Sequence, residues 1–244
     1  MSHLRNDSQL SQLRAAGTTT TEGIKVAGVH YHKESGKPVK LEHGAIVEGS
    51  IDHGGIQPHY VVDLDHPSLR HLLTQARSLG SGAGTPEQKI GAVAELVRDT
   101  LKHKAYDSAP YLDLLRQSRV QRRNVNLGDY IDTQSGVCRE HAMMTHLALS
   151  AAGFDTEYVY ANARQRNKIE DHAVATVILA GTRWVVDAYN VNFDGFRLDA
   201  LARPTGSAST DVVAPWARGK RLLGCRLELT KHPNYWLPVV ALPG

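Results

Sequence analysis

The chain has 244 residues, a formal net charge of +3, 41% hydrophobic residues and 22% charged residues. This composition is ordinary for a folded globular protein, and the length suits one large domain or one domain with an added subdomain. The small net charge is spread along the chain, so binding to nucleic acid is not expected. Two cysteines are too few for the disulfide framework of a secreted protein, so we expect a reducing compartment and a cytoplasmic location.

The N-terminal segment, residues 1–22, is rich in Ser, Thr and Gln and has no apolar core of the kind found in a signal peptide. We expect it to form a disordered leader, which is compatible with a non-classical export signal. No stretch of the sequence approaches the ~18 apolar residues of a membrane-spanning helix, so no membrane partner is expected.

Residues 23–66 carry short β-prone runs that Gly, Pro and Asp separate, and this pattern predicts a few short strands. A helix is expected from Pro67 to Leu79, followed by a glycine-rich loop. We therefore predict a β-rich N-terminal region over residues 23–84 and a second, catalytic domain over residues 85–244.

The clearest helix signal begins at Thr85, which can cap a helix. Pro86 suits the first turn, and Gln88 stands where a capping box requires it. Apolar residues then follow at helical spacing: Ile90, Val93, Ala94, Val97 and Leu101. A further short helix is predicted from Pro110 to Val120.

The segment "VCREHAMMTHLALSAAG" predicts a helix that begins near Cys138 and stops at Gly153. A strand, "TEYVYA", and a polar loop over Asn162–Asp171 are expected next. Two further strands, "HAVATVIL" and "RWVVDAY", flank "AGT", which is short enough for a hairpin.

Cys138 stands at the predicted start of its helix, just after Gly136. Free backbone N–H groups at a helix start favour the reactive thiolate and can also stabilise an oxyanion on a substrate. We expect Gly136 to leave room for the backbone and a substrate to approach closely. Taken alone, a cysteine on an apolar helix is more often a small core residue.

His172 is expected to open one strand of the hairpin, and Asp187 to end the other. A tight turn near Ala180 and Gly181 would place His172 and Asp187 opposite each other or one diagonal step apart, on the same face of the sheet. A carboxylate can then bond one imidazole nitrogen and leave the other for the thiol. The pattern predicts a nucleophile, a base and an orienting acid.

The sequence resembles the transglutaminase-like superfamily of papain-like cysteine enzymes over residues 85–198. The matching segments are "SGVCREHAMMTHLALSAAGFDTEYVYA", "DHAVATVILAGTRWVVDAYN" and the upstream helix "TPEQKIGAVAELVRDTLKH". The resemblance implies an α+β fold in which the nucleophile helix packs on an antiparallel sheet. It implies a triad of Cys138, His172 and Asp187. Val174 and Ala188 stand where the family often has an aromatic residue and a proline.

The expected reaction is acyl transfer from an amide, as in a peptidase or deamidase, with no cofactor. Transamidation, as in a transglutaminase, is the alternative, and a non-catalytic binding module is another. Hydrolysis is favoured because only 6% of the residues are aromatic and because a polar loop over Asn162–Asp171 would leave a solvated cleft. The expected partner is a protein, peptide or small amide substrate, and the sequence leaves the oligomeric state open.

Other residues near the motif have competing interpretations. Gln134 is an oxyanion-stabilising candidate, although an exposed loop glutamine is the commoner case. His141 is an alternative base for which a surface role is favoured. Trp184 is expected in the core and Cys225 as a buried thiol.

Histidine is concentrated in the first third of the sequence. His30 and His32 with Glu34 form a pattern that could bind a metal, because alternate strand residues point to one face. The spacing to the remaining histidines fits no fixed metal motif, so we predict no metal site and keep a metal-binding module as an alternative. The histidines concerned are His30, His32, His43, His53, His59, His66 and His71.

Overall fold

The computed structural model describes residues 24–26, 29–31, 41–44, 46–47, 60–105, 107–121, 124–165, 168–190, 226–231 and 236–242. In several strands, including positions 159–165 and 168–172, the backbone is described and the side chains are not. The predicted leader, residues 1–22, lies outside the described residues.

Five α-helices lie within the described part of the chain. In chain order they are α1 (Pro67–Ser81), α2 (Pro86–Thr100), α3 (Ala109–Val120), α4 (Leu127–Asp132) and α5 (Cys138–Ala151).

The same residues contribute ten strands. They are β1 (Ile24–Val26), β2 (Val29–Tyr31), β3 (Ile46–Val47), β4 (Tyr60–Val61), β5 (Val125–Asn126), β6 (Thr156–Gln165), β7 (Lys168–Leu179), β8 (Thr182–Val186), β9 (Arg226–Lys231) and β10 (Trp236–Leu242). The structure combines helices with sheets that are largely separate from them, and this is the α+β fold that the resemblance implied.

Helix α2 begins as its local sequence predicts. The Thr85 hydroxyl accepts a hydrogen bond from the Gln88 backbone N–H at 3.3 Å, and the Gln88 side chain accepts one from the Thr85 N–H at 2.9 Å. Pro86 occupies the first turn, where its missing N–H costs nothing. The predicted apolar stripe is buried, so the capping residues and the apolar pattern both agree with the helix that the structure shows.

The largest sheet has the strand order β8-β7-β6-β10-β9. Strands β7 and β8 pair antiparallel and are joined by Ala180 and Gly181, which both have positive φ, at 50° and 74°. Positive φ at both central residues is the mark of a type I′ turn, the turn that suits a two-residue hairpin. The predicted hairpin is therefore confirmed. Only the pairing of β10 with β6 is parallel in this sheet.

The polar loop predicted over Asn162–Asp171 is wrong. Strand β6 continues to Gln165 and strand β7 begins at Lys168, and these two residues pair with each other. The polar segment forms strands because β7 on one side and β10 on the other supply partners for the backbone of β6. Backbone pairing of this kind does not depend on apolar side chains.

Helix α5 lies at the centre of the fold, in contact with helices α1 and α2 and with strands β6 and β7. Every residue from Cys138 to Leu149 is buried. Apolar residues of β4 and α1 share one hydrophobic core with those of α2 and α5. The division into residues 1–22, 23–84 and 85–244 stays a prediction. Among the residues described, no helix combines the length and apolar character that crossing a membrane requires.

Candidate active site

Cys138 is the first residue of helix α5, as predicted, and follows the N-cap residue Val137. It carries a free thiol, and 9% of the residue is exposed. The first residues of a helix have backbone N–H groups without partners inside the helix, and these groups carry partial positive charge. The thiol therefore lies where an anion is stabilised.

The start of helix α5 is fixed by Glu140. Its carboxylate accepts a hydrogen bond from the Val137 backbone N–H at 2.7 Å. Val137 has no polar side chain to serve as a cap, so Glu140 supplies the only side-chain cap at this helix start. The same carboxylate also accepts a hydrogen bond from the Tyr60 hydroxyl. Glu140 thus ties Cys138's helix to strand β4.

Arg139 lies next to Cys138 and is almost fully buried, with 2% of the residue exposed. Its guanidinium lies 3.9 Å from the centre of the Tyr60 ring, and its Nε lies 3.4 Å from the Glu140 carboxylate. A buried cation is tolerated only when an anion or aromatic face compensates it. Tyr60, Arg139 and Glu140 therefore form one buried cluster, which the sequence analysis did not identify.

Gly136 does not play the role predicted for it. A Cβ atom at this position would lie 2.9 Å from Glu140 Cβ and 3.1 Å from Leu101 Cδ1. The space that the missing side chain leaves is filled by these protein atoms and not kept for a substrate. Gly136 is needed because Glu140 must pack closely against the backbone to cap the helix.

Asp187 follows the last residue of strand β8, Val186, in agreement with its predicted position. It is buried, with 2% of the residue exposed. Its Oδ1 accepts hydrogen bonds from the backbone N–H groups of Tyr189 at 3.0 Å and Asn190 at 2.9 Å. These two bonds fix the carboxylate in a turn at the end of the hairpin.

His172 is the fifth residue of strand β7 and pairs with Ala161 of β6, so the prediction that it opens the strand is wrong. The strand begins earlier because the polar segment before it pairs with β6. In the β7–β8 register Ala175 faces Val186, and continuing that register by one residue places Val174 opposite Asp187. His172 comes two residues before Val174 on β7. It therefore occupies a position diagonal to Asp187, on the same face of the sheet by strand alternation. Its side chain lies outside the described structure.

Tyr189 lies beside Asp187, and its ring packs against the His141 ring of helix α5. Burial raises the pKa of its hydroxyl above the ordinary value of 10.0, and the neighbouring charges of Cys138, Asp187 and Glu140 raise it further. The Tyr189 ring packs against the His141 ring of helix α5 and its N–H binds Asp187, so Tyr189 links that helix to the Asp187 turn. Tyr189 was not among the predicted site residues, although it stands only two positions after a predicted triad member.

Lys104 and Tyr189 are joined by two hydrogen bonds. The Lys104 ammonium donates to the Tyr189 carbonyl at 3.2 Å, and the Tyr189 hydroxyl donates to the Lys104 carbonyl at 3.2 Å. Arg98 donates to the Ala188 carbonyl at 3.3 Å. Burial lowers the pKa of Lys104 and Arg98 lowers it further, while Asp187 is one of two carboxylates that raise it. Two cations therefore anchor the chain just after Asp187.

The surface role predicted for His141 is wrong, because the residue is fully buried at 0% exposure. Its Nδ1 lies 2.9 Å from the Val137 carbonyl oxygen and its Nε2 lies 3.2 Å from the Leu101 carbonyl oxygen. Burial lowers the pKa of His141 from its ordinary value of 6.5. Both ring nitrogens face the main chain, so the ring is not presented to a substrate as an alternative base.

Gln134 is exposed and has a positive φ of 50°, in the loop that leads to Cys138. Its backbone N–H donates to the Ile131 carbonyl at 2.9 Å, and its own carbonyl accepts from the His103 N–H at 2.9 Å. These bonds fix the loop, and the role of the Gln134 side chain toward an oxyanion stays a prediction. Trp184 packs against the hydrophobic core, as predicted.

Two groups of described residues bring one histidine nitrogen and two carboxylate oxygens within 4.8 Å of one another, an arrangement that suits a cation. They are His43 with Asp63 and Asp65, and His66 with Asp129 and Asp132. In the second group the histidine Nε2 lies 3.7 Å and 3.8 Å from the two carboxylates, so ion pairing also accounts for it.

The predicted metal pattern of His30, His32 and Glu34 depends on side chains outside the described residues, and so does the predicted burial of Cys225. Neither prediction is tested by the structure.

Comparison with known proteins gave the following matches. A search of curated proteins found none. A crystal structure from Cytophaga hutchinsonii, provisionally described as a cysteine protease, is 16% identical with a TM-score of 0.38 and covers 62% of this chain. This chain spans less than half of that protein, 46% of its length. The family model for the transglutaminase-like domain matches residues 77–202, which is just over half of the sequence and contains Cys138, His172 and Asp187. The chain therefore belongs to the transglutaminase-like domain family.

Proposed function

We propose that the protein is a cysteine-dependent acyl-transfer enzyme that acts on amide bonds. Cys138 is the nucleophile, His172 the general base and Asp187 the residue that orients the base. The main support is the position of Cys138, which begins a buried helix in contact with the strand that carries His172. Tyr189 adds support, because its N–H binds Asp187 and its ring packs against His141 on the helix that Cys138 begins.

The chemistry follows from these roles. Cys138 Sγ attacks the amide carbonyl carbon while His172 accepts the thiol proton. The tetrahedral intermediate collapses, the C–N bond breaks, and His172 returns the proton to the leaving amine, which leaves a thioester on Cys138. Water or an amine then attacks the thioester carbon while His172 takes its proton, the C–S bond breaks, and His172 returns the proton to Cys138 Sγ as the acid or the new amide leaves. Asp187 holds the imidazole in the required tautomer and stabilises the imidazolium.

Oxyanion stabilisation is assigned to the backbone N–H groups at the start of helix α5. The helix N-terminus provides preformed donors whose positions do not change during the reaction. Gln134 is the proposed side-chain donor, since it belongs to the loop that leads into the helix.

Hydrolysis is the proposed outcome, as in a peptidase or deamidase, because the low aromatic content of 6% supplies few residues to wall off the thioester from water. A polar loop before His172 does not contribute a solvated cleft, because that segment forms strands. One observation favours the runner-up, transamidation: Tyr189 provides an aromatic ring against His141, on the helix that Cys138 begins, where it could guide an amine.

The test uses a peptide library in oxygen-18 water with a labelled primary amine at millimolar concentration. Wild type is compared with Cys138→Ala, and the products are scored by mass spectrometry. Cleaved or deamidated peptides that carry oxygen-18 in the wild-type sample alone are the expected result. If amine adducts dominate, the reaction is transamidation and the proposal of hydrolysis is wrong. Equal products with Cys138→Ala would remove Cys138 from the mechanism.

A further inference from the structure

The buried ring of His141 joins the ends of two helices. Its Nδ1 is 2.9 Å from the carbonyl oxygen of Val137, the N-cap residue of α5. Its Nε2 is 3.2 Å from the carbonyl oxygen of Leu101, the C-cap residue of α2. The ring therefore lies directly behind the helix start that carries Cys138, one turn along from it.

These two contacts make the same demand on the ring, because each requires a donor. A carbonyl oxygen only accepts hydrogen bonds, whereas a neutral imidazole has one N–H, so only the imidazolium can donate to both oxygens. Burial and the Lys104 charge lower the pKa of His141, while its bond to Val137 and the charges of Glu140 and Asp187 raise it. Both ring nitrogens are directed at main-chain oxygens in the structure.

A third contact connects His141 with the Asp187 turn. The ring of His141 meets the ring of Tyr189 edge to face, with centroids 5.3 Å apart and planes inclined at 72°. The Tyr189 backbone N–H is one of the two that bind Asp187 Oδ1. Edge-to-face pairs of aromatic rings are favourable and directional, so the position of one ring constrains the other.

We infer that His141 is a positioning residue, whose ring sets the distance between Cys138 at the start of helix α5 and the turn that holds Asp187. The inference rests on the proposed function, because it concerns the alignment of the proposed triad. His141 acts through Val137 on the side of the nucleophile and through Tyr189 on the side of the acid.

Loss of the ring should therefore alter the reactivity of Cys138 as well as the stability of the fold. If the Asp187 turn shifts relative to helix α5, the base loses its fixed orientation toward the thiol. The thiol is then deprotonated less often at neutral pH, and alkylation of Cys138 slows and requires higher pH.

Three variants test the two sides of this linkage. His141→Asn places an amide nitrogen where Nδ1 lies and keeps a donor for Val137. His141→Gln places one where Nε2 lies and keeps a donor for Leu101. Tyr189→Leu removes the aromatic edge contact from a partly exposed position, so it tests the inference even if His141 variants fail to fold.

The matched control is His146→Asn. His146 is a second buried histidine of helix α5, 2% exposed, with its Nδ1 3.4 Å from Thr156 Oγ1 on strand β6. It lies more than one turn further from Cys138, so its loss should lower the melting temperature without changing the thiol.

Alkylation of Cys138 by iodoacetamide, followed by mass spectrometry across a pH series, needs no substrate. We expect a rate about tenfold lower at neutral pH, and a profile moved to higher pH, in His141→Asn and Tyr189→Leu, with His146→Asn within about twofold of wild type. His141→Gln should show the same direction of change. If His141→Asn and Tyr189→Leu keep the wild-type alkylation rate and pH profile while their melting temperatures fall, His141 is an ordinary core residue. That result would overturn this inference and leave the proposed function standing. Wild-type Cys138 reacting no faster than in the urea-unfolded chain would overturn the proposed function, and the inference with it.

Discussion

The hydroxyl of Tyr60 donates a hydrogen bond to the carboxylate of Glu140, although 80 residues separate them in the sequence. Tyr60 comes from strand β4, and Glu140 caps the helix that begins at Cys138. A residue from the β-rich N-terminal region thus helps to fix the start of the nucleophile helix.

Glu140→Gln should lower the free energy of unfolding by about 3 kcal/mol, because it removes the carboxylate of a buried ion pair while the Arg139 charge stays buried. The matched control is Glu157→Gln, whose partner Arg183 lies 3.1 Å away with 42% of its side chain exposed. That pair should contribute less than about 1 kcal/mol, since water screens it. Urea unfolding of both variants gives the comparison, and equal losses would contradict the special role of Glu140.

Asp187→Asn should leave the fold intact and lower activity by about three to four powers of ten. The amide oxygen can still accept from Tyr189 and Asn190, so the turn survives, but an amide cannot stabilise the imidazolium. Asp187→Ala should lose stability as well, by about 1–3 kcal/mol, because two partly buried N–H groups lose their acceptor. The measurements are kcat with any substrate found for the wild type, and the melting temperature. An Asp187→Asn variant within threefold of wild type would remove Asp187 from the mechanism.

Gly136→Ala should destabilise the protein by about 1–3 kcal/mol and slow alkylation of Cys138, because the added Cβ pushes on Glu140 at the helix start. Gly153→Ala is the control. Gly153 has a φ of +90° and nothing within 4 Å of an added Cβ, so only backbone strain of about 1 kcal/mol is expected there. Unfolding free energies and alkylation rates are measured together. An unchanged alkylation rate in Gly136→Ala would show that the helix start tolerates the methyl group.

The stability of the protein should depend on the charge of His141 at mildly acidic pH. Burial lowers the pKa of His141 below its ordinary value of 6.5 in the folded state. As the pH falls below that value, the unfolded chain binds the proton first, so the free energy of unfolding decreases. His141→Asn should show a shallower decrease, by up to about 1 kcal/mol, between about pH 7 and about pH 5.5 in urea titrations. Parallel slopes for wild type and variant would contradict the lowered pKa.

Chelators should not abolish activity, because every step assigned to Cys138, His172 and Asp187 proceeds without a metal. The clusters around His43 and His66 make the test worthwhile. The protein is assayed before and after EDTA, then after addition of single divalent metals. Loss of turnover that one metal restores, together with the same loss in Asp132→Asn, would support the metal-binding alternative.

The parts of the fold that the sequence predicted are those fixed by neighbouring residues. The capping box of Thr85 and Gln88, and the turn at Ala180 and Gly181, depend on interactions within a few positions, and the structure confirms both. Cys138 at a helix start has the same origin, because Glu140, only three residues after the N-cap residue Val137, accepts a hydrogen bond from the Val137 N–H.

The parts that the sequence did not predict depend on distant partners. A surface role is expected for His141 because a residue on the nucleophile's own helix points away from a substrate cleft, but helix α5 contacts helices and strands around it. The polar segment before His172 forms a strand because β10 pairs with β6 from far along the chain. Local periodicity contains no information about either contact.

The parallel pairing of β10 with β6 has a consequence for truncated forms of the protein. Asn162–Gln165 of β6 pair with Val239–Leu242 of β10 on one side and with β7 on the other. Proteolysis that removed β9 and β10 would leave these four positions with an open row of backbone donors and acceptors. Such exposed strand edges recruit other chains, so the shortened protein would tend to self-associate.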